Sequence, residues 1–335
     1  MKLETAGIHR IGIFRALQLG DILCAIPALR NLRLNFPKAH ISFIGLKGNK
    51  VLIDRYDNYF DNFIVFPGYP GLPEQAFDGR LFDEFCSEVN SRKFDLILQM
   101  QGDGTIVNDM LRIFVSKKLA GFSTDQTELE DNPLMMPYPN FGHESQRHLK
   151  LMHFLNVPIS NTEMEFPVFN QDEEEFAEER FPLAQKFMCI HPGSRAHWRQ
   201  WPVEYFAKIA DICFKNGYQV VLTGNGHEVN LANVVSEKMQ YTALNLAGRT
   251  TLGTLAVLLK KSSGLIANCT GISHISAALK IQSVIISMDG EPERWGGIDT
   301  KLHSTIDWTK NPDFRLVKEA VLNLLASRLN CATLP

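Results

Sequence analysis

Short β-branched apolar runs alternate along this chain with stretches whose apolar residues recur every three or four positions. The first pattern predicts buried strands and the second predicts amphipathic helices. In the first half, strands are expected over 8–14, 40–45, 62–66 and 94–99, with helices over 21–35, 80–91, 105–114 and 145–155. In the second half, strands are expected over 187–191, 219–223, 243–246, 264–267 and 283–287. Between the first two of these, Tyr205, Ile209, Ile212 and Cys213 fall near helical spacing. Strands separated by helices mean βαβ units and parallel sheets, so the fold class is α/β with two doubly wound, Rossmann-like domains. Pro158, Pro167, Pro182 and the acidic run Asp172-Glu173-Glu174-Glu175 put the boundary between about 156 and 186. That run reads either as a charged helix face or as a solvated linker. The expected domains are 1–170 and 183–312, followed by an amphipathic helix over 313–330 and a frayed tail. Two such domains face to face would leave a cleft, and ligands of such sheets bind beyond the carboxyl ends of the strands. The turns that follow strands are therefore where chemistry is expected.

Bulk composition narrows the field. A chain of 335 residues suits two domains, and 45 % apolar with 21 % charged residues is ordinary globular composition. The net charge of −3 argues against a nucleic-acid partner. The six cysteines show no CxxC pair and no zinc-ligand spacing, which suits free thiols in a reducing cytosol. Residues 1–10 are polar, the apolar run after them is broken by Arg15, and no apolar stretch approaches bilayer length. The expectation is a cytoplasmic protein, with room for peripheral contact at the inner membrane.

Four turns carry candidate chemistry. In Arg15-Ala16-Leu17-Gln18-Leu19-Gly20-Asp21, Asp21 reads either as a helix N-cap or as a general base, and Arg15 either holds a phosphate or lies on the surface. His191-Pro192-Gly193-Ser194 ends a strand and runs through Arg195 and Arg199 to Trp201-Pro202. There Ser194, backbone N–H groups and forked guanidinium donors suit a diphosphate. Leu222-Thr223-Gly224-Asn225-Gly226-His227-Glu228 presents Glu228 at a helix head, where a carboxylate can accept both hydroxyls of a ribose or simply favour the helix dipole. Asn268-Cys269-Thr270-Gly271-Ile272-Ser273-His274 leads a strand into a helix, whose unpaired N–H groups favour an anion. The GxGxxG pattern of dinucleotide folds is absent after the first strand. His143-Glu144-Ser145-Gln146-Arg147-His148 is not a zinc-protease helix, because its second His falls five residues on instead of four.

In this order the segments resemble glycosyltransferase family 9, the group of ADP-heptose:lipopolysaccharide heptosyltransferases. The matching pieces begin with Gly20-Asp21 and Pro27, then Ser194 and Arg199 before Trp201-Pro202, then Gly224 with Glu228. Leu246-Ala247-Gly248-Arg249-Thr250-Thr251-Leu252 follows, and Thr270, Gly271 and His274 complete the set. The resemblance is strong through 186–290 and thinner over 45–180. It implies a GT-B fold, with the acceptor on the first domain and the nucleotide sugar on the second. It further implies inverting transfer with no metal and no other cofactor, from a nucleotide sugar to a glycan or lipid-linked acceptor such as lipopolysaccharide core. By carry-over Asp21 would deprotonate the acceptor, and Ser194 and Arg199 would neutralise the diphosphate. Thr270, Gly271 and His274 would hold phosphates or donor sugar, Glu228 (with Gly224) the ribose, and Thr250 would lie near the base. Two departures stand out: Arg199 occupies a position that is usually Lys, and Cys269 one that is Asp. A thiol is a poor hydrogen-bonding replacement for a carboxylate. A different donor sugar is one consequence, with Arg294 and the carboxylates of 289–297 as candidate compensation. A nucleotide-sugar epimerase, or a binding protein on the same fold, is the alternative reading.

Overall fold

The computed structural model describes Leu3 and residues 7–331. The expected tail beyond them, and most of the polar N-terminal stretch, lie outside the described residues. The chain forms two compact units that meet in sequence at Met164 and Glu165. None of the described helices is long and apolar enough to cross a membrane.

Unit 1 holds strands β1 Arg10–Phe14, β2 His40–Gly45, β3 Asn62–Val65, β4 Leu96–Gln99, β5 Leu119–Ser123 and β6 Met135–Pro137. Its helices are α1 Leu19–Asn35, α2 Lys50–Ile53, α3 Gly79–Ser91, α4 Val107–Leu111, α5 Gln126–Asp131 and α6 Glu144–Phe154. Every strand pair is parallel, in the order β3-β2-β1-β4-β5-β6. Unit 2 begins with α7 Asn170–Glu178 and continues with strands β7 Phe187–His191, β8 Gln219–Leu222, β9 Ala243–Asn245, β10 Leu265–Asn268, β11 Ser283–Ser287 and β12 His303–Asp307. Its other helices are α8 Val203–Lys215, α9 Val229–Lys238, α10 Leu252–Lys261, α11 Gly271–Ala278, α12 Pro292–Trp295 and α13 Phe314–Cys331. The parallel order β12-β11-β10-β7-β8-β9 repeats the topology of unit 1.

Each sheet is doubly wound with the strand order 3-2-1-4-5-6, so each has one topological switch point: β1 beside β4, and β7 beside β10. Apart from Arg10 at the start of β1, the central strands are buried, as continuous apolar runs in a sheet covered on both faces must be. Unit 2 packs Met188, Ile190, Val220, Leu222, Ile266 and Ile286 with the apolar faces of α8 and α13. The acidic run belongs to a helix: α7 buries Phe176, packs on α10 and sets Glu173 3.2 Å from Lys261. Strands β5, β6 and β12 were not among the expected elements. They are short, partly polar and lie towards sheet edges, where alternation is weakest.

Candidate functional site

At the switch point of unit 1 the chain leaves β1 through Arg15 and enters α1 two residues before the expected start. Asp21 is therefore not the N-cap. It is the third helical residue, and its carboxylate accepts the Gln18 N–H at 3.2 Å in a capping box with Gln18. Arg15 is not on the surface, since its side chain is fully buried. Its Nε donates to the Asp21 carbonyl at 2.9 Å, one terminal nitrogen donates to the Met100 carbonyl, and the other meets Glu144 Oε1 at 3.3 Å. Met100 follows β4, so a guanidinium bridges the two switch-point strands from inside. Glu144 opens α6 and also lies 3.4 Å from His148 Nε2, which gives the His/Glu segment a role in the core.

Unit 2 builds its switch point differently. After β7, Pro192-Gly193-Ser194 turns into a single 3₁₀ turn, His197–Arg199, before Trp201. Trp201 is buried among Tyr205, Phe206, Trp308 and Phe314, which anchors the far end of the loop. Ser194 is buried and gives its carbonyl to Gln200. Arg199 lies 4.9 Å over the Trp198 ring, and a terminal nitrogen is 3.5 Å from Asp289 Oδ2. Its Nε is covered and has no hydrogen-bond partner among the described residues. Across the switch point, Thr270 is the N-cap of α11, with its hydroxyl making no capping bond, and Gly271 is the first helical residue. His274 is buried one turn later, its ring 6.1 Å from that of Trp295.

Cys269 lies between these groups. Its thiol donates to the Trp295 carbonyl at 3.4 Å. Burial, then the neighbouring Asp289 carboxylate, push its pKa up to about 12 against the opposing pull of Arg199 and Ser273. It is a neutral thiol, not a nucleophile. Asp289 follows β11, with a side chain 5 % exposed, and accepts the Ser287 hydroxyl at 2.8 Å. Arg294 stacks 4.5 Å over Trp295 and pairs with Glu291 at 3.4 Å.

Glu228 sits beyond β8, its carboxylate accepting the Asn225 N–H at 2.8 Å. A Cβ at Gly193 would run into that carboxylate, and one at Gly224 would stand 3.0 Å from the Glu228 Cβ, so both glycines make room for it. His191, at the end of β7, faces Glu228 Oε2 at 3.8 Å and shares a hydrogen bond with Thr223. Burial lowers the His191 pKa, against the pull of Glu228. Thr250 is half-buried in the turn after β9, at the edge of the sheet. Unit 2 thus brings Ser194, Arg199, Thr270 and Gly271 to one switch point, with Gly224 and Glu228 at the adjoining turn after β8. Asp21 belongs to the corresponding end of unit 1.

The sequence matches glycosyltransferase family 9 (heptosyltransferase) over residues 84–322. The chain belongs to that family. The lipopolysaccharide core heptosyltransferase OpsX of Haemophilus influenzae is 20 % identical over 286 residues, spanning 82 % of this chain and 78 % of that protein. Among solved structures, a family 9 glycosyltransferase from Veillonella parvula superposes with a TM-score of 0.78 at 19 % identity, covering 98 % of this chain and 99 % of the other. The E. coli heptosyltransferase WaaC with ADP gives 0.71 at 16 % identity, covering 94 % and 99 %. The fold is GT-B, and the protein is a lipopolysaccharide-heptosyltransferase-like glycosyltransferase.

Asp289 is one of the carboxylates of 289–297 offered as compensation for Cys269, and it stands beside both Cys269 and Arg199, whereas His191 and Asn268 were given no role by the sequence. Asn268 and His191 stand inside the quoted motifs, but their partners lie 67 to 76 and 32 residues away, beyond the reach of local pattern.

Proposed function

We propose that the protein moves a heptose from ADP-heptose to a hydroxyl of a glycan or lipid-linked acceptor such as lipopolysaccharide core, with inversion at the anomeric carbon and without a metal. The observation that carries this reading is the unit 2 switch point. There a half-exposed guanidinium with an unused Nε–H, a buried serine and the open N-terminus of α11 converge. A diphosphate leaving group gathers negative charge as its bond to the sugar breaks, and preorganised donors at that place lower the barrier. In the proposed step the Asp21 carboxylate takes the acceptor hydroxyl proton. The hydroxyl oxygen attacks the anomeric carbon, and the C–O bond to the diphosphate breaks to release ADP. Arg199, Ser194, Thr270 and the first N–H groups of α11 receive the charge, with His274 alongside. Glu228, with the room left by Gly193 and Gly224, takes the ribose diol, and Thr250 lies towards the base. The WaaC structure with ADP supports adenine as the base.

Cys269 favours a second reading of the donor sugar. A neutral, buried thiol cannot accept sugar hydroxyls as a carboxylate does, and Asp289 is the carboxylate standing beside it.

Calorimetry with ADP, UDP, GDP and ADP-heptose tests both readings. Selective binding of ADP and ADP-heptose, weakened about 10- to 100-fold in Arg199→Ala, is the expected result. Preference for UDP or GDP moves the donor, and binding of none of the four overturns the transferase reading.

A further inference from the structure

The ladder between β7 and β10 pairs Leu265 with Cys189, Ile266 with Ile190 and Ala267 with His191. The next pair would be Asn268 with Pro192, and proline has no N–H with which to continue. Both strands must part here, because one leads into the Pro192–Trp201 loop and the other into α11. A side chain takes over where the backbone ladder stops. Asn268 is fully buried. Its Nδ2 donates to the Pro192 carbonyl at 2.7 Å and to the Gly193 carbonyl at 3.3 Å, while its Oδ1 accepts the Trp201 N–H at 2.9 Å. Two carbonyls on one side and an N–H on the other decide which way the amide points. One side chain thereby grips both ends of the loop that carries Ser194 and Arg199. Asn268 itself stands two residues before Thr270, the N-cap of α11.

We infer that Asn268 is the positioning residue of the diphosphate site, holding the Ser194/Arg199 loop and the start of α11 at a fixed separation. It touches no ligand group itself. Its action runs through Pro192, Gly193 and Trp201, and the inference rests on the donor-site reading above. Chemistry at this position needs an amide. A carboxylate could hold Trp201 but would face two carbonyl oxygens, and a small apolar residue would leave three buried main-chain groups without partners. Glu228 is held from the turn after β8 by the Asn225 N–H and meets the loop gripped by Asn268 only at Gly193, whose carbonyl takes the longer of the two Asn268 donor bonds. The two halves of a nucleotide should therefore respond differently.

The test measures affinity for ADP and for adenosine in the wild type, Asn268→Ala and the milder Asn268→Ser, well below each protein's melting temperature. The expected result is a loss of about tenfold or more for ADP with adenosine changed less than about twofold, so the ratio of the two affinities moves. A residue that merely stabilised the unit would lower Tm and leave that ratio unchanged in the folded protein. An unchanged ratio in both variants overturns the inference. The serine variant keeps the test open should the alanine variant fail to fold, since its hydroxyl can reach one partner but cannot span both Pro192 and Trp201. A wild type that binds no ADP overturns the donor-site reading itself, and shows this before any variant is measured.

Discussion

The two units share one topology but close their switch points in opposite ways. In unit 1 the space between β1 and β4 is filled by Arg15, a buried cation tied to Asp21, Met100 and Glu144. In unit 2 the space between β7 and β10 is spanned by Asn268, a neutral amide whose bonds all go to main chain, and the cation, Arg199, is left half-exposed beside the turn. The difference shows that strand order alone does not decide how an arginine at a switch point is engaged. An arginine whose donors the core has already claimed has fewer to offer a ligand. Arg15 is fully buried with Glu144, whereas Arg199 pairs with Asp289 yet stays half-exposed with an unused Nε–H.

The largest effect should come from breaking the filled side. Arg15→Met removes a cation from a buried network and leaves the Glu144 carboxylate without it, which should cost about 3–5 kcal/mol in denaturant unfolding. The double variant Arg15→Met/Glu144→Gln should recover most of that loss. If the single variant is as stable as wild type, the contrast between the two switch points is wrong. Turnover should be more sensitive than binding to Asp21→Asn, with a rate loss of about 10²–10⁴ and ADP affinity within about twofold of wild type. A parallel fall in ADP affinity would place Asp21 in binding instead.

Asp289 offers a finer test of the open side, because it neutralises Arg199. Asp289→Asn should tighten ADP by a few-fold, on the order of 1 kcal/mol, and weaken ADP-sugar if the carboxylate also holds sugar hydroxyls. Movement of both affinities in the same direction would limit it to tuning Arg199. Cys269→Asp should shift donor preference, and an unchanged ranking of donors would remove that position from the sugar contact.

The smallest effect concerns pH. Burial lowers the pKa of His191 and of His303 below the ordinary imidazole value. Below about pH 6.5 the unfolded chain therefore binds protons that the folded one refuses, so stability falls as pH drops through that range towards the folded pKa values. His191→Gln/His303→Gln should flatten the slope of unfolding free energy between about pH 5 and 6.5. An unaltered slope would assign the dependence elsewhere.

Much of this was readable in the chain. The buried strands of both sheets declare themselves as apolar runs, and Gly20-Asp21, Ser194, Arg199, Glu228 and Thr270 stand where strands hand over to helices. Local pattern misplaced the first turn of α1, because whether Leu19 or Asp21 begins the helix depends on the Gln18–Asp21 capping box. It missed β5, β6 and β12, whose pairing depends on a neighbouring strand more than on alternation of their own. It left the run at 172–175 undecided until Phe176 found a surface to bury against.

What the sequence determined by itself was the alternation of strand and helix, the α/β class and the list of chemically able residues, since these follow from periodicity and residue type over short distances. Only the tertiary structure decided which of those residues are engaged. Arg15 and Arg199 are identical in chemistry and both follow the first strand of their unit. Each meets a carboxylate distant in sequence, Glu144 or Asp289, but Arg15 is fully buried with its partner while Arg199 stays half-exposed and keeps its Nε–H unused. Asn268 shows nothing locally, because its three partners come from the two ends of the loop that follows another strand. Burial and long-range pairing set the energetic meaning of a polar side chain, and neither is a property of its neighbours in sequence.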